Sequence, residues 1–219
     1  LTPSEEEYLE SIFMCEGKTH GRAKVKELAD DLDIKAPSVV EMLRKLKRRG
    51  LVDYDRSGAK LTKRGREQAI RVVRRHQLAE RLLSDVFGHD LPGVHEHACE
   101  FEHVLDDELT DKLDDMLGNP STCPHGDPIP TPYGKPSEVT GKKLIDASGG
   151  EECTVTVIPE ERGSVERLLS LNILPGAKIK VVDKLPRGAI IMQCGKTQVA
   201  LSRSIASKII VRGRHPHRR

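Results

Sequence analysis

Tryptophan is absent from the 219 residues, and phenylalanine and tyrosine bring the aromatic share to only 3%. Cores must then be built from Leu, Val, Ile and Ala in thin layers, which suits several small units better than one large one. Nowhere does an apolar run approach the roughly 20 residues that a membrane helix needs, and the start of the chain is acidic and polar, unlike a signal peptide. Both absences predict a cytosolic protein with no membrane partner. Cysteine is scarce as well. Cys15, Cys99, Cys123, Cys153 and Cys194 lie far apart without a CxxC pair, so neither a disulfide framework nor a zinc ribbon is indicated. Charge of one sign is not in excess: 36 Lys and Arg against 34 Asp and Glu leave a net +2, which excludes a general polyanion binder. Basic residues do cluster locally, at Arg44, Lys45, Lys47, Arg48 and Arg49 and again at Arg71, Arg74 and Arg75, so any nucleic-acid contact is regional.

What is present divides into three segments, with a mainly α fold containing α+β parts. Tyr8, Leu9, Ile12 and Phe13 recur at helical spacing behind Ser4-x-x-Glu7, a capping-box signature, and predict a first helix from Ser4 to about Cys15. After Gly21, Val25, Leu28, Ala29 and Leu32 make a short helix. A turn at Asp33 to Ala36 follows, and Pro37 opens a second helix carrying Val39, Val40, Leu43 and Leu46, closed by Gly50. Two such helices across so short a turn are a helix-turn-helix, with the second as recognition helix. Leu51–Tyr54 and Ala59–Thr62 around Ser57-Gly58 read as a hairpin, the wing. This winged helix-turn-helix DNA-binding domain is assigned residues 1–70. Helix resumes near Thr62 or Lys63 and runs to Gly88, followed by helices at about 94–104 and 106–117. The proline-dense stretch 119–136 excludes regular structure and reads as a linker, so 71–136 form a helical domain with its linker. Five short β-rich runs between 153 and 211, interrupted by a helix around Val165 to Leu171, suggest an SH3-like β-barrel over 141–213. Residues 214–219 are assigned to a basic tail.

The chemistry concentrates after Pro92. His95, Cys99, Glu102 and His103 stand at i, i+4, i+7 and i+8, within roughly one 100° stripe of a helix. His76 and Glu80 share one face of the preceding helix, and antiparallel packing would bring both sets together. The stripe alternates with Ala98, Phe101, Val104 and Leu105, and buried His or Glu must be paired or bound, so six clustered donors point to a metal site rather than a solvated face. His95-Glu96-His97-Ala98-Cys99 imitates a zinc-protease motif, but Cys99 replaces the second histidine. No nucleophile with its base can be identified, so no enzyme is expected.

The order of winged helix, ligand helices, proline linker and barrel resembles the diphtheria-toxin-repressor family of iron- and manganese-dependent regulators over essentially the whole chain. Three stretches carry the resemblance most specifically: His76-Gln-Leu-Ala-Glu80-Arg-Leu-Leu, Val94-His95-Glu-His-Ala-Cys99-Glu-Phe-Glu102-His103, and Cys123-Pro-His-Gly-Asp127-Pro-Ile-Pro130. The resemblance implies a helical metal-binding and dimerisation domain, a barrel of the FeoA type and two metal sites. A regulatory site would use Glu7, Cys99, Glu102 and His103. An ancillary site would use His76, Glu80 and His95, with Glu161 as the matching barrel acid and Ser164 at the other barrel position. Glu7 matches the acid of manganese-type members and Cys99 the thiolate of iron-type ones. The donor set leans to Fe(II), with Mn(II) second and Zn(II), Co(II) or Ni(II) able to substitute in vitro.

On the recognition helix, Lys35, Pro37, Ser38 and Glu41 can reach base edges, while Arg44, Lys47 and Arg48 are placed for phosphates. One helix-turn-helix reads too few bases, so a homodimer on a near-palindromic double-stranded operator is expected, with Leu82, Leu83, Val86, Leu109, Leu113 and Leu117 as candidate interface residues. The function expected is a metal-dependent repressor controlling metal uptake. The alternatives are a winged-helix thiol redox sensor using Cys99 or Cys123, and a metal-binding adaptor without DNA binding.

Overall fold

A computed structural model describes residues 1–19, 21–131, 141–186 and 188–213; the basic tail at 214–219 and part of the proline stretch lie outside them. The chain forms two compact units. One comprises Leu1–His76, Phe101–Lys112 and residues 130–131; the other comprises Gln77–Glu100, Leu113–Ile129 and residues 141–213.

The first unit opens with α1 (Pro3–Thr19), longer at both ends than its apolar pattern suggests. Its capping box lies two residues earlier than Ser4-x-x-Glu7. The Thr2 backbone nitrogen donates to Glu5 Oε2 at 3.0 Å and Thr2 Oγ1 accepts from the Glu5 nitrogen at 3.4 Å, with Pro3 opening the helix between them. Helices α2 (Val25–Asp31) and α3 (Ala36–Arg48) enclose the expected turn, where Asp33 takes a left-handed φ of 49°. Val39, Leu43 and Leu46 of α3 are fully buried at i, i+4 and i+7, each contributing about 1.5–3 kcal/mol by burial. They join Leu9 and Ile12 of α1 and Leu28 of α2 in one core. Three basic residues in the last turn suit the negative end of the α3 dipole.

The wing is a two-stranded antiparallel hairpin, β1 (Val52–Asp55) with β2 (Gly58–Leu61). Glu16 of α1 fixes it by accepting from the Leu61 nitrogen at 2.6 Å while pairing with Arg66. Helix α4 (Lys63–Arg81) starts at once, and a Cβ on Gly65 would sit 1.8 Å from the Leu51 carbonyl oxygen, so only glycine allows this approach.

After α4 comes a π-helical turn, Leu82–Val86, then α5 (Leu91–Phe101), a 3₁₀ turn at Glu102–Val104 and α6 (Asp107–Met116). In the second unit, β3 (Lys142–Lys143), β4 (Glu152–Val157), β5 (Lys178–Lys184), β6 (Ile190–Cys194), β7 (Thr197–Leu201) and β8 (Ile210–Gly213) form one six-stranded sheet. Its order is β3-β8-β4-β5-β6-β7, antiparallel throughout. Helix α7 (Arg162–Ser170) follows β4 and α8 (Arg203–Ala206) precedes β8. Val155, Leu168, Val181, Met192 and Val211 lie in its core, which supplies the SH3-like unit without a large aromatic residue.

The proline stretch departs from a plain linker. Residues 119–131 contain no helix or strand, yet Cys123, His125 and Ile129 are buried, and Thr122 and Pro128 form an isolated bridge. Prolines exclude regular elements but not burial, because a tight loop can satisfy its own backbone. Here the Cys123 nitrogen donates to the Asp127 carbonyl at 2.8 Å, and the Gly126 nitrogen to the Cys123 carbonyl at 3.0 Å.

Candidate metal centres

Within the second unit, that loop carries chemistry. Glu80 and Arg81 are neighbours near the end of α4; Arg81 Nε donates to the Thr122 carbonyl at 2.7 Å, holding the loop beside Glu80. From the other side the Ile158 nitrogen donates to the His125 carbonyl at 3.0 Å, and Gly126 takes a φ of 95°. A Cβ there would come within 2.0 Å of the Thr156 carbonyl oxygen, so glycine is what lets the loop reach β4. The result places ligand atoms of Glu80, Cys123, His125 and Glu160 all within 4.8 Å of one another. His95 of α5 stands at the rim, with Nδ1 3.5 Å from Glu80 Oε1 and 3.7 Å from Glu160 Oε2.

The electrostatics of this group call for a cation. Glu80 and His125 are fully buried, with His125 Nδ1 3.2 Å from Glu80 Oε1. His125 Nε2 meets no hydrogen-bond partner. Burial pulls the His125 pKa down, but the hydrogen bond and charge of Glu80 outweigh it and raise the value overall. Burial and the charges of Glu80, Asp127 and Glu160 push the Cys123 thiol well above its ordinary value of 9.0. Two carboxylates, an imidazole and a thiol in so little space fit a divalent transition ion, whose charge would offset the buried acids and favour the thiolate.

A second group lies in the first unit. Glu10 of α1, His76 of α4 and Glu102 of the 3₁₀ turn also bring ligand atoms within 4.8 Å of one another. Here the donors serve each other: His76 Nδ1 is 2.7 Å from Glu102 Oε2, both side chains being buried. His103 Nδ1 lies 3.0 Å from Glu6 Oε2 and 3.8 Å from Glu102 Oε1, and Arg75 reaches Glu6 Oε1 at 2.8 Å. Three carboxylates, Glu6, Glu10 and Glu102, around two imidazoles likewise fit a divalent ion.

Within the first unit His76, expected as an ancillary-site ligand, pairs with Glu102. Glu7 is exposed and lines a hollow with Tyr8, Ser38, Glu41, Lys45 and Arg48, on the recognition-helix side of α1. Its neighbours Glu6 and Glu10, one helical turn apart, face the histidines instead. Cys99 Sγ lies 3.7 Å from His95 Nε2, one turn earlier on α5. Glu161 is exposed and paired with Lys208, whereas the preceding residue, Glu160, joins the Glu80 cluster.

Cys123, His125 and Glu160 are not among the ligands expected from the sequence, although Cys-Pro-His-Gly-Asp stands out there, because their approach to Glu80 depends on long-range hydrogen bonds of the loop rather than on helical spacing. Among the described residues no cysteine takes part in a disulfide.

On α3, Lys35, Pro37, Ser38, Glu41, Arg44, Lys47 and Arg48 are all exposed. Lys47 Nζ donates to the Tyr54 carbonyl at 2.7 Å, tying the helix to the wing. Of the candidate interface residues, Leu83 and Leu113 are buried within the chain, while Val86 and Leu109 are exposed, as are Phe87, Val104 and Met116.

Comparison with known proteins decides the family. Residues 1–59 match the N-terminal DNA-binding domain of iron-dependent repressors, and residues 62–131 match their metal-binding and dimerisation domain. The chain belongs to the iron-dependent repressor family. Residues 142–213 match the FeoA domain, so all three parts of the family architecture are present. The diphtheria toxin repressor of Corynebacterium diphtheriae is 34% identical over 199 residues, covering 84% of this chain and 86% of that protein. The iron-dependent repressor IdeR of Mycobacterium tuberculosis is 32% identical over 228 residues, covering 96% and 97%. A solved manganese-dependent transcriptional repressor in complex with manganese superposes with a TM-score of 0.88 at 28% identity, over 95% of this chain and 99% of that one. The family consists of DNA-binding repressors, not enzymes. Among the described residues, no helix is long and apolar enough to cross a membrane.

Proposed function

We propose that this chain is a repressor that binds double-stranded operator DNA as a homodimer in the cytoplasm when loaded with Fe(II) or Mn(II), and so controls genes of metal uptake. The observation that carries the reading is the cluster of Glu80, Cys123, His125 and Glu160, in which His125 Nε2 is buried without a partner between acids. An imidazole so placed costs folding free energy unless something occupies the space beside it. We assign these four residues, with His95 at the rim, to one metal site. Glu10, His76 and Glu102, with His103, form the other. Cys99 stays in the reading as the softest donor of α5. Glu7 and Glu161 would enter only by leaving their present surroundings.

A bound divalent ion would supply positive charge and a fixed coordination template. The chain's own residues do the rest. Glu102 orients His76, Arg81 and Gly126 place the His125 loop, and Glu6 holds His103 until His103 takes a ligand role. Thiolate and imidazole favour Fe(II), and the carboxylates accept Mn(II); Zn(II), Co(II) and Ni(II) suit the same donors in vitro. A thiol redox sensor is less well supported, because the Cys123 thiol is buried and hard to ionise, the opposite of a reactive cysteine.

Anaerobic DNA-binding titrations against the promoter of the chain's own gene test the reading. Tight binding is expected with Fe(II) or Mn(II) and its loss with chelator; equal binding in both, or release only by peroxide, would discard it. The metal-loaded complex should also weaken steeply with salt, each phosphate neutralised by Arg44, Lys47 or Arg48 contributing about 0.9 to the log–log slope.

A further inference from the structure

Glu5, Glu6 and Glu7 are consecutive acids near the start of α1, and the helix sends them in three directions. Glu7 is exposed toward α3. Glu6 takes His103 and Arg75. Glu5 is fully buried: beyond its cap with Thr2 it lies 3.1 Å from Lys45 Nζ and pairs with Arg49, two cations at the end of the recognition helix. Both cations are about half exposed, at 47% and 45%, so they sit at the surface with their charge already answered.

We propose that Glu5 is a positioning residue that couples the metal-binding face of α1 to the recognition helix by withholding Lys45 and Arg49 from DNA phosphates. The coupling rests on the metal reading above; the withholding does not. Neighbouring residues in one hydrogen-bonded helical turn cannot shift independently. When His103 leaves Glu6 for a metal ion, the turn that bears Glu6 also bears Glu5, and a small displacement loosens the grip on both cations. Five basic residues crowd positions 44 to 49, and two of them are held by this single carboxylate. Freeing them adds up to two phosphate contacts per chain, a change visible in salt dependence as well as affinity.

The test uses the full chain, a labelled duplex of arbitrary sequence and fluorescence anisotropy at several salt concentrations. In chelator, Glu5→Gln should bind more tightly than the native chain, by about tenfold at low salt, with a log–log slope steeper by roughly one to two. Adding Lys45→Met and Arg49→Met to Glu5→Gln should return both quantities to the native level, which a merely structural effect of Glu5 would not do. An unchanged slope in folded Glu5→Gln, or a rise that persists after both cations are removed, overturns the proposal. Should Glu5→Gln not fold, the surface pair Lys45→Met/Arg49→Met decides alone. The native slope should steepen on adding Mn(II), and this increment should vanish in the pair; its survival sinks the idea. Calorimetry of the native chain with Mn(II) separates the two claims, because absence of binding there defeats the metal reading while the comparison in chelator still judges Glu5.

Discussion

The two clusters share glutamates and histidines, the second adding the Cys123 thiol, and differ in whether those chains satisfy one another. In the first unit, His76 with Glu102 and His103 with Glu6 form short pairs, so a folded arrangement persists without an added charge. In the second unit, Glu80, Cys123, His125 and Glu160 converge with one imidazole nitrogen unanswered and a thiol driven toward its neutral form. The lesson is that ligand types alone do not distinguish a self-satisfied polar cluster from one waiting for a cation; the hydrogen-bond inventory does.

The largest expected effect tests that difference directly. At free Mn(II) 100-fold above its dissociation constant, a single site stabilises the fold by about 2.7 kcal/mol, or roughly 5–10 °C in Tm for a chain of this size. His125→Ala should abolish the share of that gain due to the second-unit cluster. A native-sized, fully metal-dependent shift in the variant's melting curve would break the comparison.

Gly126→Ala alters no donor but blocks the approach of the loop to β4. It should cost about 1–3 kcal/mol and lower the number of ions bound, measured by urea denaturation and by equilibrium dialysis. Normal metal content in a stable variant would show that the loop has other ways to present His125.

Glu102→Gln sharpens the contrast from the other side. Weakening a buried charged partner of His76 should lower stability by about 1–2 kcal/mol even in chelator, because this cluster contributes to the metal-free fold. Equal chelator midpoints for native and variant proteins would place the first-unit cluster in the same class as the second.

The smallest effect serves as a control at a residue that belongs to neither cluster. Glu151 hydrogen-bonds Lys142 and the Ser148 nitrogen, and these hold its carboxyl below the usual 4.5. A carboxylate whose folded pKa is depressed contributes stability that is complete above the unfolded value and disappears as pH falls through the folded one. Glu151→Gln should therefore cost about 0.2–1 kcal/mol at pH 7, a cost that shrinks as pH falls through the folded value, with metal response unchanged.

The capping signals show how far local reading reaches. Thr2-Pro3-Ser4-Glu5 and Ser4-Glu5-Glu6-Glu7 both satisfy the same four-residue rule, and only the first is used, because Glu5 also finds Lys45 and Arg49, 40 and 44 residues away. The shift of frame matters for function: it belongs to the helix that turns Glu6 and Glu10 toward histidines and leaves Glu7 facing α3. In the barrel, the sequence pointed to an acid at 161, while β4 ends in a way that delivers its neighbour Glu160 and leaves Glu161 to Lys208.

By itself the sequence determined the elements whose cause is local. Periodic Leu and Val, Pro37 after a short turn, Gly50 beyond the last basic turn and the Ser57-Gly58 hairpin specify a winged helix. The i, i+4 spacing of His76 with Glu80 and of His95 with Cys99 specifies metal-capable helix faces, since a helix repeats every 3.6 residues. Only the tertiary structure decided which donors meet. That choice depends on Gly126 touching the Thr156 carbonyl, on Arg81 gripping Thr122 and on the direction in which α1 presents three consecutive acids. Contacts between residues tens of positions apart are set by packing and backbone hydrogen bonds that no short-range pattern contains.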